Sequence, residues 1–322
     1  MVILSFPLSF TPLQLFYFHI KYFSRFTPFF LGPNFGILDT IPWNSQKEGL
    51  CMPLYLADYH THTYISGDSR STLLENITQA HRVGLSELCM TEHWNLLNQK
   101  GERLPTHYDF SPLLQQWEQL QDTWANRIQV RLGIELGNST VDTAAVEEGL
   151  KLPELDFVIG SLHSMSLARD GVGIFTCAKA CTDRTLALDV LEDYIQQMEA
   201  LVEAGTFDVL GHIIYPLRYF PTQFQLSLEP WQDRLEEILK KVIESGKGME
   251  FNTSQGSTIR QWIPLLTQYR ALGGEIITLG SDAHRPEYIG AGFDQAVELL
   301  RSLGYRWVCT YRQRTPKFHS IM

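Results

Sequence analysis

The chain has 322 residues, of which 44% are apolar and 19% charged, and its formal net charge is −10. This length and composition are typical of one large globular domain or two smaller ones. The acidic balance and the lack of a basic stripe argue against nucleic-acid binding, which needs cationic side chains along the phosphate backbone.

The amino-terminal segment is unusual in composition. Residues 1–36 are rich in phenylalanine and contain no aspartate or glutamate. Prolines and basic residues interrupt the segment too soon for a transmembrane span, and no signal-peptide cleavage site is evident. We expect the folded domain to comprise residues 52–322, beginning near Met52. Residues 1–51 would then be a poorly ordered extension or a result of start-site choice, and a membrane-associating appendage is the alternative.

From residue 52 onward, short apolar runs alternate with helical patterns. Each run has the length of a buried strand, and most are built from Val, Ile, Leu or Phe. The seven predicted strands are 54–58, 87–91, 128–135, 156–161, 208–212, 248–252 and 275–281.

Amphipathic segments separate these strands. In the first, apolar side chains recur at helical spacing from Leu73 to Val83, and Gly84 ends the pattern. Similar helices are predicted within 186–205, 229–246 and 292–304. Alternation of strands and helices over about 270 residues predicts an α/β fold with parallel strands. Since no G-x-G-x-x-G follows the first strand, we favour a distorted, TIM-like (β/α)7 barrel over a doubly wound sheet.

The longest insertion, roughly residues 164–186, is expected to be a loop near the active face. It contains Cys177 and Cys181, whose spacing could form half of a zinc site, but no second pair follows. The chain has five cysteines, an odd and scattered set. That number argues against a disulfide framework and favours a reducing, cytoplasmic location.

Histidines and carboxylates follow the predicted strands at the point where each strand ends. His60 and His62 end the first strand, and side chains two residues apart on a strand point to the same face, so both imidazoles can grip one metal ion. In a barrel of parallel strands, functional groups sit at the carboxyl ends. The other candidates are Asp68, Glu92, His93, Glu135, His163, His212, Asp282 and His284.

This distribution predicts a polynuclear metal centre. Six of the ten histidines fall at strand ends, which core packing does not explain. Imidazole and carboxylate ligands suit zinc, manganese or iron. Nine candidates remain when Glu92 is left out, and one ion does not need so many ligands. We therefore expect two or three divalent ions, with a carboxylate such as Glu135 bridging two of them. Closely spaced ions clamp the attacking and leaving oxygens of a phosphoryl displacement.

Seven ordered segments resemble the successive motifs of the PHP (polymerase and histidinol phosphatase) superfamily. They are ADYHTHTYISGDS, LCMTEHW, GIELG, IGSLHSM, VLGHIIYPLRY, EFNTS and LGSDAH. The resemblance implies a distorted (β/α)7 barrel, the PHP fold, with a trinuclear site at the carboxyl ends of its strands. It implies a first ligand set of His60, His62, Glu135 and Asp282. It implies a second set of Glu135, His163 and His212, and a third of Asp68, His93 and His284. Asp282, His284 and Glu135 are also the candidates for catalytic roles, the first two in proton transfer.

Two loops, GHIIYPLRYF and EFNTSQGSTIR, are similar to those of histidinol-phosphate phosphatases within this superfamily. Arginines in these loops bind the substrate phosphate in that subfamily, which implies the same role for Arg218 and Arg260. An acidic protein needs such local guanidinium groups to bind a phosphate monoester. Ile214 and the insertion in NTSQG depart from the pattern in the loops and leave the metal ligands unchanged.

We therefore predict a metal-dependent phosphomonoesterase that acts on L-histidinol phosphate, with no nucleic-acid or membrane partner. A phosphoesterase for a nucleotide or another small phosphate is the second hypothesis. An amidohydrolase also opens with H-x-H, but that class usually bridges its metals with a lysine, and the fourth strand offers none. A proofreading nuclease or a regulatory metal-binding module is less favoured, and the net charge of −10 argues against the nuclease.

The first prediction concerns the extension. A shortened chain that begins at Met52 should fold and keep full turnover, because the first predicted strand and every candidate ligand lie after this point. Circular dichroism and activity measurements on the full-length and shortened chains check this. Loss of soluble expression or of turnover on removal of residues 1–51 would contradict it.

Overall fold

The computed structural model describes residues 54–322. The predicted extension 1–51 and the predicted start near Met52 lie outside the described residues. Within this described range, no helix is both long enough and apolar enough to cross a membrane.

Seven strands form one parallel sheet in chain order, each paired with the next. They are β1 Ala57–Thr61, β2 Glu87–Asn95, β3 Gln129–Gly137, β4 Phe157–Ser161, β5 Val209–Leu210, β6 Gly248–Asn252 and β7 Ile277–Gly280. The two edges approach at their carboxyl ends, where the N–H of His62 donates to the carbonyl of Ala283 (3.0 Å) and that of Asp282 to the carbonyl of His60 (2.9 Å). The result is a nearly closed barrel, and the predicted distorted (β/α)7 fold is confirmed.

Eight α-helices lie within the described range. They are α1 Leu73–Arg82, α2 Ser111–Trp124, α3 Thr143–Gly149, α4 Ile174–Ala180, α5 Arg184–Ala204, α6 Gln232–Glu244, α7 Ile263–Ala271 and α8 Phe293–Ser302. Helix α1 shows why such segments begin where they do. Thr72 accepts the N–H of Glu75 (3.2 Å), and the Glu75 carboxylate accepts the N–H of Thr72 (2.8 Å), which together form a capping box.

The prediction that residues 164–186 form a loop is wrong in part, because this segment contains helix. It includes α4 and the start of α5. Ile174 and Ala178, one turn apart, bury their side chains, and Asp183 caps α5 by accepting the N–H of Leu186 (2.9 Å). The N–H of Ile174 also donates to the carbonyl of His163 (2.8 Å), so this segment lies beside the carboxyl end of β4.

A small apolar cluster fills the lower part of the barrel interior. Its members are Ala57, Tyr59, Cys89, Phe157, Ile159, Val209, Cys309 and Tyr311. The last two come from a hairpin that the sequence analysis did not predict, β8 Trp307–Arg312 and β9 Thr315–Ser320. The N–H of Tyr311 donates to the hydroxyl of Tyr59 (2.7 Å), which ties this hairpin to β1.

The first strand has an irregularity that matters for the site. Its pairing with β2 shifts register between Asp58 and Thr61, and the carbonyl of His60 accepts from both Asp282 and Ala283. In a regular strand, neighbouring side chains point to opposite faces. The bulge lets Tyr59 join the inner cluster while His60, the next residue, also turns inward.

Asp58 stabilises the junction between β1 and the segment after β7. Its buried carboxylate accepts from the N–H of Ser281 (3.0 Å), the hydroxyl of Ser281 (2.6 Å) and the N–H of Gly290 (2.8 Å). These contacts join segments more than two hundred residues apart in the chain and hold the two edges of the barrel together.

The second prediction follows from these bonds. Asp58→Asn should lower the free energy of unfolding by about 1–3 kcal/mol, because the amide nitrogen cannot accept the bond from Gly290 and leaves a buried donor unpaired. Urea unfolding of both proteins measures this, with the exposed Asp122→Asn as the control. An unchanged unfolding midpoint in Asp58→Asn would show that the carboxylate contributes little.

Candidate metal centre

The nine predicted ligands gather at the carboxyl end of the barrel. They come from the ends of six strands and the loops after them, and Asp68 follows the short helical turn Tyr64–Ser66. A polar cavity of about 130 Å³ opens there, lined by Asp68, His93, Glu135, His163, His212, Asp282 and His284 together with Asn95, Gln99, Tyr215 and Tyr219. His60 and His62 lie buried beneath it.

The first ligand set has the spacing that a metal ion requires. The Nε2 atoms of His60 and His62 lie 3.3 and 3.6 Å from Oε2 of Glu135. The same two atoms lie 3.6 and 3.7 Å from Oδ1 of Asp282. Ligands at about 2.0–2.2 Å from a tetrahedral ion are separated from one another by about 3.3–3.6 Å. The four side chains therefore converge on one point at coordination distance.

The second set surrounds the other oxygen of Glu135. Oε1 lies 3.0 Å from Nε2 of His163 and 2.7 Å from Nε2 of His212, and these two nitrogens are 3.2 Å apart. Oε2 faces the first set and Oε1 the second, which is the geometry of a carboxylate that bridges two ions. Ser161 donates its hydroxyl to Oε1 (2.8 Å) and holds the carboxylate in this orientation.

The third set lies at the mouth of the cavity. The two carboxylate oxygens of Asp68 lie 3.2 Å from Nε2 of His93 and 3.4 Å from Nε2 of His284. The other nitrogen of His93, Nδ1, lies 2.6 Å from Oε2 of Glu135, so this set adjoins the first. The side chain of Asp68 is 58% exposed, which makes this set the most accessible of the three.

Several buried atoms of the cluster have no hydrogen-bond partner among the described residues. They include Nε2 of His60, Nε2 of His62 and Oε2 of Glu135, which face one another in the first set. Buried polar atoms in folded proteins are nearly always paired. A divalent cation among these atoms satisfies all of them, and imidazole with carboxylate is a donor set that such ions prefer.

The charges of the cluster favour a cation. Burial raises the pKa of the Glu135 carboxyl, but His163, His60 and His93 outweigh this effect and hold that pKa well below its usual range. Burial lowers the pKa of the His62 imidazole, and the neighbouring His93 adds to the effect, so this pKa lies well below its usual range. Glu135 is therefore ionised and His62 neutral, the states that bind a metal. Burial lowers the pKa of His60 and of His93, but neighbouring carboxylates outweigh it and raise both pKa values, so a metal ion would displace protons from these two rings.

The structure brings one of the two predicted substrate arginines to this site. Arg218, on the helical turn Tyr215–Arg218, is almost wholly buried and donates to Oδ2 of Asp282 (3.0 Å) and Oδ1 of Asn252 (2.8 Å). Arg260 is exposed on the turn Ile259–Trp262, and neither arginine is among the residues that line the cavity. The role of both arginines in phosphate binding stays a prediction.

Glu92 and Glu250 have positions that the sequence analysis did not assign. Glu92, noted only as a strand-end carboxylate, is buried and accepts bonds from Thr63 and Ser66 instead of facing the ligands. Glu250 contacts Nδ1 of His60 at 2.6 Å. The signal that could have found it is a charged residue in the middle of the apolar run GMEFN, where a buried carboxylate needs a partner.

A model of the PHP domain family matches residues 58–254. The chain belongs to the PHP domain family. The match covers the ends of β1 to β6, which carry seven of the nine predicted ligands, all except Asp282 and His284. The resemblance seen in the sequence motifs is therefore confirmed.

Relatives of this PHP domain protein cover most of its length. A histidinol-phosphatase of Lactococcus lactis is 27% identical over 79% of this chain and 93% of that protein. A probable histidinol-phosphatase of Deinococcus radiodurans is 30% identical over 80% of this chain and 97% of that protein. The crystal structure of histidinol phosphate phosphatase from Lactococcus lactis, complexed with zinc, L-histidinol and phosphate, has a TM-score of 0.70 at 24% identity. It covers 82% of this chain and 100% of its own, and confirms the fold.

The third prediction concerns the bridging carboxylate. Glu135→Gln should lower the metal content more than His93→Ala does, because Glu135 contributes an oxygen to two ligand sets and His93 belongs to one predicted set. Elemental analysis of purified, metal-loaded proteins measures the difference, with the exposed Glu148→Gln as the control. Equal losses in the two variants would remove the bridging role.

Proposed function

We propose that this chain is a metal-dependent phosphomonoesterase that hydrolyses L-histidinol phosphate to L-histidinol and inorganic phosphate in histidine biosynthesis. The observation that supports the proposal most directly is the convergence of unpartnered, buried imidazole and carboxylate atoms at the mouth of the barrel. The relatives named histidinol-phosphatase match this chain over nearly their whole length.

The proposed centre takes two or three divalent ions, of zinc, manganese or iron. His60, His62, Glu135 and Asp282 would hold the first, Glu135, His163 and His212 the second, and Asp68, His93 and His284 the third. The spacing within each set supports this assignment. When bound, such ions supply an activated water and neutralise the charge that develops on the transferred phosphoryl group.

The protein's own side chains would orient the ester and handle protons. Arg218 is held by Asp282 and Asn252 beside the first ligand set, and its buried Nε, which has no partner among the described residues, would have to turn toward the cavity to donate to a phosphate oxygen. His284 lies at the half-buried rim of the cavity, whereas Asp282 is engaged by Arg218. In a centre with two ions, where the third set holds none, His284 would therefore be better placed than Asp282 to give a proton to the leaving alkoxide oxygen.

A second candidate function is hydrolysis of another small phosphate ester. A relative named only as a probable phosphatase, from Caldanaerobacter subterraneus, is 28% identical over 76% of this chain and 82% of that protein. The two candidates share the metal centre and differ in the alcohol that leaves.

The cytoplasmic location stays a prediction.

The experiment that separates them is a comparison of substrates on metal-loaded protein. The value of kcat/KM should be higher for L-histidinol phosphate than for p-nitrophenyl phosphate or a nucleoside monophosphate. A preference for the aryl ester or the nucleotide would overturn the histidine-pathway assignment. Loss of all phosphatase activity on chelation, with recovery on adding zinc or manganese, is the matching test of the metal requirement.

The fourth prediction concerns Arg218. Arg218→Ala should raise KM about ten- to a hundredfold, because a charged hydrogen bond to phosphate is worth roughly 1.5–3 kcal/mol. Arg218→Lys should restore only part of the loss, since an ammonium group cannot make the paired contact of a guanidinium. Steady-state kinetics on L-histidinol phosphate measure both, and Arg260→Ala tests the second predicted arginine in the same way.

The metal content of Arg218→Ala distinguishes two explanations for a rise in KM. If Arg218 binds the phosphate, the variant keeps its full metal content while KM rises. Loss of metal from Arg218→Ala would instead assign this arginine to holding Asp282 in the first ligand set. Native kcat/KM in both arginine variants would show that neither binds the phosphate.

A further inference from the structure

The two histidines of the H-x-H pair are held from behind by buried carboxylates that lie outside the ligand sets. We propose that Glu250 and Glu92 are positioning residues that fix the tautomer and the ring orientation of His60 and His62, and thereby set the zinc affinity of the centre. Glu250 acts directly, and Glu92 acts through the hydroxyl of Ser66. The inference rests on the metal centre proposed above, and it does not depend on which phosphate ester is the substrate.

The contact between Glu250 and His60 determines which ring nitrogen faces the ligands. Oε1 of Glu250 lies 2.6 Å from Nδ1 of His60, and a carboxylate only accepts hydrogen bonds, so Nδ1 carries the proton. Nε2 then presents its lone pair toward Glu135 (3.3 Å) and Asp282 (3.6 Å).

Glu250 is itself held by its other contacts. Oε2 accepts the backbone N–H of His212 (2.7 Å), and Oε1 also accepts from Nδ2 of Asn252 (2.9 Å). Both oxygens are occupied by donors, and the side chain is buried. Glu250 is therefore committed to orienting other groups and lies outside the set of metal ligands.

The contact between Glu92 and His62 is indirect and is mediated by the hydroxyl of Ser66. Glu92 accepts the N–H of Thr63 (3.0 Å), the hydroxyl of Thr63 (2.7 Å) and the hydroxyl of Ser66 (2.5 Å). Since the proton of Ser66 points to Glu92, its oxygen accepts from Nδ1 of His62 (3.0 Å) and from the N–H of His93 (3.0 Å). Nδ1 of His62 therefore carries a proton as well, and Nε2 is left for the metal.

These contacts matter because an imidazole binds a metal only through an unprotonated nitrogen. A ring that is free to rotate or to change tautomer presents N–H to the ion for part of the time. Partners of this kind also raise the basicity of the ligand, and their loss typically costs about 10–100-fold in metal affinity.

The chain offers a matched control in Glu87. It lies on β2, as Glu92 does, and it is also buried, but it sits at the opposite end of the strand. Its carboxylate accepts from Tyr55, Tyr59 and Arg131, none of which is a predicted ligand. Glu87→Gln therefore reports what the loss of a buried carboxylate does to the protein when no bond to His60, His62 or Ser66 is removed.

The experiment measures zinc affinity in full-length protein by competition with a chromophoric chelator. Glu250→Gln, Glu92→Gln and Ser66→Ala should each weaken binding about 10–100-fold. Ser66→Thr, which keeps the hydroxyl, and Glu87→Gln should bind zinc as the wild type does. A second readout is the hydrogen-bonded Nδ1–H signal of His62 in NMR spectra of zinc-loaded, ¹⁵N-histidine-labelled protein. This signal should be lost or shifted in Ser66→Ala and kept in Ser66→Thr.

The outcomes separate this proposal from the proposed function. Wild-type zinc affinity in Glu250→Gln and Ser66→Ala would overturn the positioning role while the metal centre stands. An equal loss of affinity in Glu87→Gln would assign the effect to general destabilisation and overturn the proposal. If wild-type protein binds no zinc, manganese or iron, the metal centre fails together with the proposed function. Should Glu250→Gln not fold, Ser66→Ala, which removes one partly exposed hydroxyl, decides the question.

Discussion

The carboxylate of Glu135 is the charge around which this molecule is organised. It is wholly buried at the end of β3, and a buried carboxylate is stable only when it is paired. Five imidazoles from four other strand ends lie within 3.6 Å of its two oxygens, those of His60, His62, His93, His163 and His212. Because these rings also crowd one another, the arrangement is suited to binding a divalent cation. The demand for several such ligands at one point explains why so many strands end in a histidine or a carboxylate.

The interior of the barrel is divided into an apolar layer and a layer of ligands. The lower layer is apolar, with Tyr59, Phe157 and Tyr311 packed together and the hairpin β8–β9 closing the amino-terminal end. The ligands form the upper layer and open to solvent only at the mouth. The bulge in β1 joins the two layers, since it allows Tyr59 to pack below while His60 reaches the ligands above. Asp58 then locks the same strand to the segment after β7.

The electrostatics of the site are local. A net charge of −10 does not attract a phosphate dianion from a distance, so the attraction must come from positive charge placed within the cavity. Divalent cations held by the ligand sets would provide it, and the buried guanidinium of Arg218 adds a positive charge beside Asp282. Arg218 also pairs with Asp282, so the arginine predicted to bind phosphate contacts a member of the predicted first ligand set. A change at either position is therefore expected to affect the other.

The sequence by itself was sufficient for the order of the strands and for the set of candidate ligands that meet at one end of the barrel. The apolar runs have the length of buried strands, parallel strands place their carboxyl ends together, and polar residues at those ends stand out against the runs. It could not show that 164–186 holds a helix, because the burial of Ile174 and Ala178 depends on the surface against which α4 packs. It also left Glu250 and Glu92 without a role, and it treated Arg218 and Arg260 alike. These distinctions depend on which side chains meet across 26 to 190 residues of chain, as Ser66 and Glu92 or His60 and Glu250 do. The curvature of the barrel and the register shift in β1 decide such contacts, and neither is written in the local pattern of residues.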